Sequence, residues 1–131
     1  MVRPERLNRL GHKTRGCEAG LDFEVSIDEH VPGFSLLSVR GEIDLHTAPK
    51  LEDALGRVAN DGSVVVVVDM SGIRFMDSTA LSTFMRARDL LSGEGTSLRL
   101  VAPSHAVERL FTVTGFHDYF QIFASREEAM R

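Results

Sequence analysis

Apolar and polar residues alternate in a regular way from residue 21 onward, and the pattern predicts both strands and helices. The segment LDFEVSI places apolar residues at every second position, the period typical of a strand with one buried face. Pro32-Gly33 marks a turn, and FSLLSVRG follows it as the returning strand of a hairpin. The five valines Val64–Val68 are apolar on both faces, which predicts a central strand covered on each side.

Segments with a helical period separate the later strands. The first, HTAPKLEDALGRVAND, has Thr47 as its candidate cap, and the second runs from about Ser78 to Ser92. A third helix is predicted between Pro103 and Gly115, and a short terminal one begins at Ser125 with a capping-box pattern. The segments SLRLVA and YFQIF supply the two remaining strands.

The resulting order of elements is β-β-α-β-α-β-α-β-α. Strands separated by helices imply right-handed crossovers between parallel neighbours. The sequence therefore predicts an α/β fold, with a mixed, mostly parallel sheet of about five strands, an N-terminal antiparallel hairpin and about four helices. The loops at 41–44 and 69–77 follow two of these strands, so we expect them to lie side by side at the carboxyl edge of the sheet.

Length and composition are those of one globular domain. The chain has 131 residues, of which 43% are hydrophobic and 26% charged. It contains no apolar run of the roughly 20 residues that cross a bilayer, and its start lacks the apolar segment of a secretory signal. We therefore expect a cytoplasmic protein without a membrane partner. The single cysteine, Cys17, is expected to be a free thiol.

Charge divides the chain into two parts. Residues 1–20 carry five basic and two acidic residues, a net charge of +3, whereas residues 21–131 carry a net charge of −7. An acidic body repels phosphate backbones, so we expect no nucleic-acid binding by the folded domain. The basic segment 1–20 is predicted to be a poorly ordered extension preceding a domain at 21–131.

The stretch MDSTAL carries the candidate chemistry. It places Ser78 at the start of the second predicted helix, on the arc that faces away from the core. The unpaired N–H groups and the positive dipole of a helix start favour an anion, so the fold would tolerate a phosphate on Ser78. Asp and Ser are also common helix caps, and the residue types alone leave both interpretations open.

Catalytic and metal-binding alternatives find less support. Asp69 at the end of the valine strand, with Asp28-Glu29 as an acidic pair, would suit a receiver domain with a phosphoaspartate, but such a domain also needs a lysine late in the chain, and Lys50 is the last one. A serine hydrolase would need a Gly-x-Ser-x-Gly elbow around Ser78. Only a spatial approach of His46 is left open. The five histidines show no paired metal-ligand spacing, and we expect no cofactor.

Three motifs together resemble one known family. VVVVVDMSGIRFMDSTAL is similar to the signature of the STAS domain of bacterial anti-sigma factor antagonists, in which an apolar strand ends in Asp and is followed by Phe-Met/Ile-Asp-Ser. GEIDLHTAPKLEDAL resembles the family's earlier Gly-Glu-Ile-Asp motif. The segment from LRLVAPSHAVERLF to the end resembles its closing third. The resemblance covers residues 21 to 131, with Ala80 standing where many members have Gly.

The resemblance implies a non-enzymatic protein that binds an anti-sigma factor with serine kinase activity and so frees a sigma factor. It identifies Ser78 as the phosphoacceptor, with a serine phosphatase reversing the modification. The sequence does not determine the oligomeric state, and we expect the free protein to be a monomer. The residues expected to contact the partner are Asp44, Asp77, Thr79, Ser82, Met85 and Arg86. Within the family, a phosphorylation-independent scaffold or sensor module is the alternative.

Overall fold

One mixed sheet organises the chain in the computed structural model, which describes residues 6–7, 13–20, 23–29, 31–101 and 103–131. Its strands are β1 (Arg6–Leu7), β2 (Lys13–Gly20), β3 (Phe23–Asp28), β4 (Phe34–Ile43), β5 (Val65–Met76), β6 (Ser97–Val101) and β7 (Gln121–Phe123). The helices are α1 (Ala48–Asn60), α2 (Ser78–Gly93), α3 (His105–Thr114) and α4 (Arg126–Ala129).

The order of strands in the sheet follows their order in the chain. Strands β1 to β4 are antiparallel neighbours, and β4 to β7 are parallel neighbours joined by α1, α2 and α3. The five strands expected from the sequence correspond to β3–β7. The predicted fold class, a mixed sheet with an antiparallel hairpin and four helices, is confirmed.

The N-terminal segment differs from its prediction. We expect a poorly ordered extension over residues 1–20, but Lys13–Gly20 forms β2 and pairs with β3 from Thr14 to Gly20. Strand β2 lies between β1 and β3, and strands pair through backbone hydrogen bonds, so a charged segment can join the sheet without an apolar alternation in its sequence. The start of the domain at residue 21 stays a prediction, and residues 1–5 and 8–12 lie outside the described part of the chain.

Strand β5 is longer than predicted. The sequence suggests a strand at Val64–Val68 and a loop from there to Asp77, but β5 continues to Met76 alongside an equally extended β4. The register between the two strands shifts near Gly72. A Cβ atom at Gly72 would lie only 2.8 Å from the Cβ of Arg40, so a glycine is needed where the strands approach each other. As a result, α2 begins almost directly after a paired strand.

The two faces of β5 pack against different helices. Val66 and Val68 belong to the main core, whereas Val65 and Val67 lie in a smaller cluster with Ala129 of α4. The main core is built from the sheet and the buried faces of α1, α2 and α3. Side chains alternate between faces along a strand, so α1–α3 cover one face of the sheet and α4 covers part of the other. The prediction of a valine strand covered on both sides is confirmed for Val65–Val68, whereas Val64 precedes β5 and is 62% exposed.

The predicted inward face of α2 is also confirmed. Its inward residues are all buried: Ala80, Leu81, Phe84, Ala87 and Leu91. The ends of the later helices agree with their cap signals as well, with Ser104 capping α3, Gly115 closing it at φ 78° and Ser125 capping α4.

Helix α4 is tied to the sheet by polar contacts. The guanidinium of Arg126 donates to the Asp69 carboxylate at 2.6 Å and to the Ser38 hydroxyl at 3.1 Å. Arg99 donates to the backbone oxygen of Ala129 at 2.6 Å. Burial by itself would raise the pKa of Asp69, but hydrogen bonds from Ser71 and Arg126 lower it below its ordinary value. Asp69 therefore serves to hold α4, and its engagement speaks against the receiver-like alternative.

We expect Asp69→Asn to lower the free energy of unfolding by about 1–2 kcal/mol at neutral pH. Charge-assisted hydrogen bonds contribute roughly 1.5–3 kcal/mol, and this value is discounted because the Arg126 side chain is 39% exposed. Since the folded-state pKa of Asp69 is lowered, its contribution is present at neutral pH and is lost as the pH falls through that pKa, below roughly pH 4.

Urea unfolding at pH 7 and pH 3 measures this difference. Asp118→Asn is the matched control, because the Asp118 side chain is 91% exposed. A deficit for Asp69→Asn that is equally large at both pH values would contradict the assignment.

Candidate functional site

Ser78 is the first residue of α2, and it is exposed. The residue before it, Asp77, is the helix cap, and its carboxylate accepts a hydrogen bond from the backbone N–H of Ala80 at 3.1 Å. The sequence prediction of an outward-facing serine at the start of a helix is confirmed. Asp77, expected to contact a partner, has its side chain engaged with the helix.

The loop between β4 and α1 lies against this helix start. The backbone N–H of Asp77 donates to the carbonyl of Ile43 at 3.2 Å, and Ile43 is paired with Met76 in the sheet. Asp44 follows directly. The two segments predicted to lie side by side do so, although the second is mostly strand.

Asp44 shapes the loop in which it lies. Its Oδ1 accepts hydrogen bonds from the backbone N–H groups of His46 at 2.9 Å and Thr47 at 3.2 Å. The bond from His46 lowers the pKa of Asp44, against the effect of partial desolvation, and the bonds from Thr47 add to the lowering. Thr47 is the cap residue of α1 as predicted, but its hydroxyl donates to the carbonyl of Glu42 and makes no cap bond. Asp44 is therefore fixed in a tight turn that leaves Leu45 and His46 exposed.

The other predicted contact residues lie along the outer side of α2. Ser82 is exposed one turn beyond Ser78, and its hydroxyl donates to the Ser78 carbonyl at 3.0 Å. Thr79 is half-buried. Met85, expected to be exposed, is half-buried and packs partly against the core. Arg86 is exposed and lies 3.7 Å from Glu52 of α1. Met85 and Arg86 are two turns from Ser78, roughly 10 Å along the helix at 1.5 Å per residue.

Two apolar residues at this edge are exposed, which the sequence did not predict. Leu45 is 68% exposed and Phe75 is 48% exposed, and they flank the segments that carry Asp44 and Asp77. Apolar residues next to strands are normally assigned to the core, so only a break in the alternation near Gly72 hinted that Phe75 lies outside. We call the set of residues at this helix start the Ser78 edge; it consists of the exposed residues Leu45, His46, Phe75, Ser78 and Ser82 and the half-buried Thr79.

The Ser78 edge presents an exposed residue with a hydroxyl group, Ser78, to solvent. Within the described part of the chain, no imidazole hydrogen-bonds the Ser78 hydroxyl, which is the contact by which a hydrolase activates its serine. Across the same residues, no three His, Cys, Asp or Glu side chains converge as metal ligands. The helices in the described ranges are all too short or too polar to cross a bilayer.

Comparison with known proteins gives a consistent result. The STAS domain model matches residues 26–129. The anti-sigma-F factor antagonist RsfB of Mycobacterium tuberculosis is 30% identical over 106 residues, which cover 81% of this chain and 85% of that protein. The anti-sigma-B factor antagonist of Staphylococcus aureus is 32% identical over 89 residues, which cover 68% and 82% respectively.

A solved structure supports the same grouping. The crystal structure of an anti-sigma factor antagonist from Mycobacterium paratuberculosis superimposes with a TM-score of 0.74 at 31% sequence identity, covering 82% of this chain and 91% of that one. The region matched by the STAS domain model runs from within β3 to the end of α4 and includes the whole Ser78 edge. The chain therefore belongs to the STAS domain family and groups with its anti-sigma factor antagonists, which are non-enzymatic regulators.

Proposed function

We propose that this protein binds an anti-sigma factor through the Ser78 edge, that it thereby releases a sigma factor in the cytoplasm, and that phosphorylation of Ser78 switches it off. In this proposal the anti-sigma factor is also the serine kinase, a serine phosphatase restores the active form, and the free protein is a monomer. The observation that carries the proposal is the exposed Ser78 at the first position of α2, in a chain about 30% identical to anti-sigma factor antagonists.

The composition of the Ser78 edge supports a docking role. Protein interfaces combine an apolar centre with a polar rim. Leu45 and Phe75 provide exposed apolar surface, and the hydroxyls of Ser78 and Ser82 provide polar groups beside it. Met85 and Arg86 extend the same helix face, so a partner that covers two turns of α2 would reach them.

The two acids contribute in a different way from the sequence expectation. The carboxylates of Asp44 and Asp77 accept hydrogen bonds from their own loop and helix, which fixes the shape of the surface. They also add negative charge to the two segments that meet at the start of α2. In the proposed complex, they shape the docking surface and make it intolerant of a second anion.

Phosphorylation would act through that charge. A phosphate adds about −1.5 to −2 charges and three acceptor oxygens at neutral pH. The unmodified hydroxyl can be buried against a partner at little cost, but a phosphate beside two carboxylates would have to lose its hydration. The switch therefore needs no rearrangement of the domain.

The site assignment is tested by incubating the protein with ATP and the cognate anti-sigma factor, followed by mass spectrometry of the α2 peptide. We expect one phosphate on Ser78, no incorporation in Ser78→Ala, and wild-type incorporation in Ser82→Ala. Ser82 is the matched control because it is an equally exposed serine one turn along the same helix. Binding of the anti-sigma factor without phosphate on Ser78 would instead support the phosphorylation-independent scaffold.

A further inference from the structure

Asp77 is held from two sides at the start of α2. Its backbone N–H donates to the carbonyl of Ile43 at 3.2 Å, which fixes it to the end of β4. Its side chain accepts from the N–H of Ala80 at 3.1 Å, and its carbonyl accepts from the N–H of Leu81 at 3.1 Å. The residue is extended, with φ −105° and ψ −174°, the conformation of a well-formed cap.

This geometry changes what a phosphate on Ser78 would meet. The first four N–H groups of a helix have no partner within it, and they are the reason that anions bind at helix starts. Here the N–H of Ala80 already donates to a carboxylate, that of Asp77, the residue before Ser78. A phosphate could accept from this N–H only by displacing Asp77. The Asp77 carboxylate does not occupy the N–H groups of Ser78 and Thr79, but while it stays in the cap the two anions repel each other.

The elements next to the start of α2 carry charged side chains of both signs. The β4–α1 loop contributes Asp44 and His46, and the Asp44 carboxylate is bonded within its loop. On the other side, Arg86 of α2 lies 3.7 Å from Glu52. The remaining charged residues of α1 are Lys50, Asp53 and Arg57, and Arg74 lies in the last part of β5.

We propose that Asp77 is a positioning residue that keeps the phosphate on Ser78 out of the helix cap and in solvent. The inference rests on the proposed phosphorylation of Ser78. An exposed phosphate meets an approaching partner as a hydrated dianion and is open to a phosphatase. A phosphate bound in the cap would be partly neutralised by the helix and shielded from both.

Nuclear magnetic resonance of protein carrying phosphoserine at position 78 tests this directly. The phosphoserine is incorporated during translation, so neither the kinase nor the anti-sigma factor is needed. We expect the Ala80 amide resonance to stay unchanged in the wild-type sequence while the phosphate titrates between pH 5 and 8. In Asp77→Ala, the same resonance should follow the titration, because the freed N–H now binds the phosphate.

The Asp77→Asn variant keeps a hydrogen-bond acceptor for the Ala80 N–H but removes the negative charge of the side chain. The amide oxygen of Asn also caps helices, so the Ala80 resonance should again stay unchanged in this variant. A broad-specificity phosphatase should remove the phosphate severalfold faster from the wild-type and Asp77→Asn proteins than from Asp77→Ala. This second readout does not depend on assigning the Ala80 resonance.

The inference is overturned if the Ala80 resonance follows the phosphate in the wild-type sequence, or if it fails to follow it in Asp77→Ala. A protein that gives the expected resonances but whose Ser78 is never phosphorylated by its partner would contradict the proposed function and leave the role of Asp77 intact. The two proposals can therefore fail separately.

Discussion

Phosphorylation of Ser78 is expected to weaken the complex with the anti-sigma factor by roughly 30-fold to several-thousand-fold. Burying a charge without a partner at an interface costs about 2–5 kcal/mol, and 1.4 kcal/mol corresponds to a tenfold change in affinity. The phosphate would be buried between the segments that carry Asp44 and Asp77, where like charge adds to the loss of hydration. The unphosphorylated hydroxyl carries no such penalty.

Calorimetric titration of four forms measures the effect: wild type, phosphorylated wild type, Ser78→Ala and Ser78→Asp. We expect Ser78→Ala to bind close to wild type and Ser78→Asp to lose part of the affinity, because one negative charge replaces nearly two. Ser82→Asp places the same charge one turn away and serves as the control for position. Equal binding by all forms would remove Ser78 from the mechanism.

Truncation of Leu45 or Phe75 is expected to cost about 2 kcal/mol of binding free energy each, roughly a thirtyfold loss of affinity. Both side chains are large and exposed, and they lie in the two segments that meet at the start of α2. Because they contribute little to the core, Leu45→Ala and Phe75→Ala should leave the thermal unfolding midpoint nearly unchanged.

The control for these variants is a substitution of the same kind elsewhere on the surface. Val113 is 75% exposed on α3, and Val113→Ala should leave both affinity and stability unchanged. If Val113→Ala lowered the affinity as much as Leu45→Ala, the docking surface would have to lie elsewhere. If Leu45→Ala and Phe75→Ala bound normally, the Ser78 edge would lose its apolar centre.

Periodicity was sufficient to predict most of the fold. The valine run and the helical spacing of α2 each require a buried face, and only one register satisfies that requirement for each element. The helical periodicity that predicts a buried Phe84 also predicts that Ser78 lies on the outer side of α2. Cap residues predicted both ends of α3 and the start of α4, because Ser104, Gly115 and Ser125 act locally and need no tertiary context.

Features that depend on contacts between distant residues were not predictable in this way. Strand β2 joins the sheet through its backbone, which leaves no apolar pattern to detect. The extension of β5 depends on the fit of Gly72 against Arg40 on another strand. The pairing of Asp69 with Arg126 spans 57 positions in the chain.

The sequence predicted the position of the candidate site more accurately than it predicted which side chains form its surface. The position of Ser78 follows from local sequence, but the exposure of Leu45 depends on the turn that Asp44 makes with His46 and Thr47. The roles of the two acids were likewise visible only once their hydrogen-bond partners were known.

The sequential order of strands in the sheet bears on how the protein forms during synthesis. Each strand pairs with the one made immediately before it, so the sheet can grow by addition as the chain leaves the ribosome. The exception is the contact between Asp69 of β5 and Arg126 of α4, which are 57 positions apart. Until α4 has been made, Val65 and Val67 lack their contact with Ala129, and a nascent chain stalled before Arg126 would expose more of this face of β5 to chaperones or to aggregation.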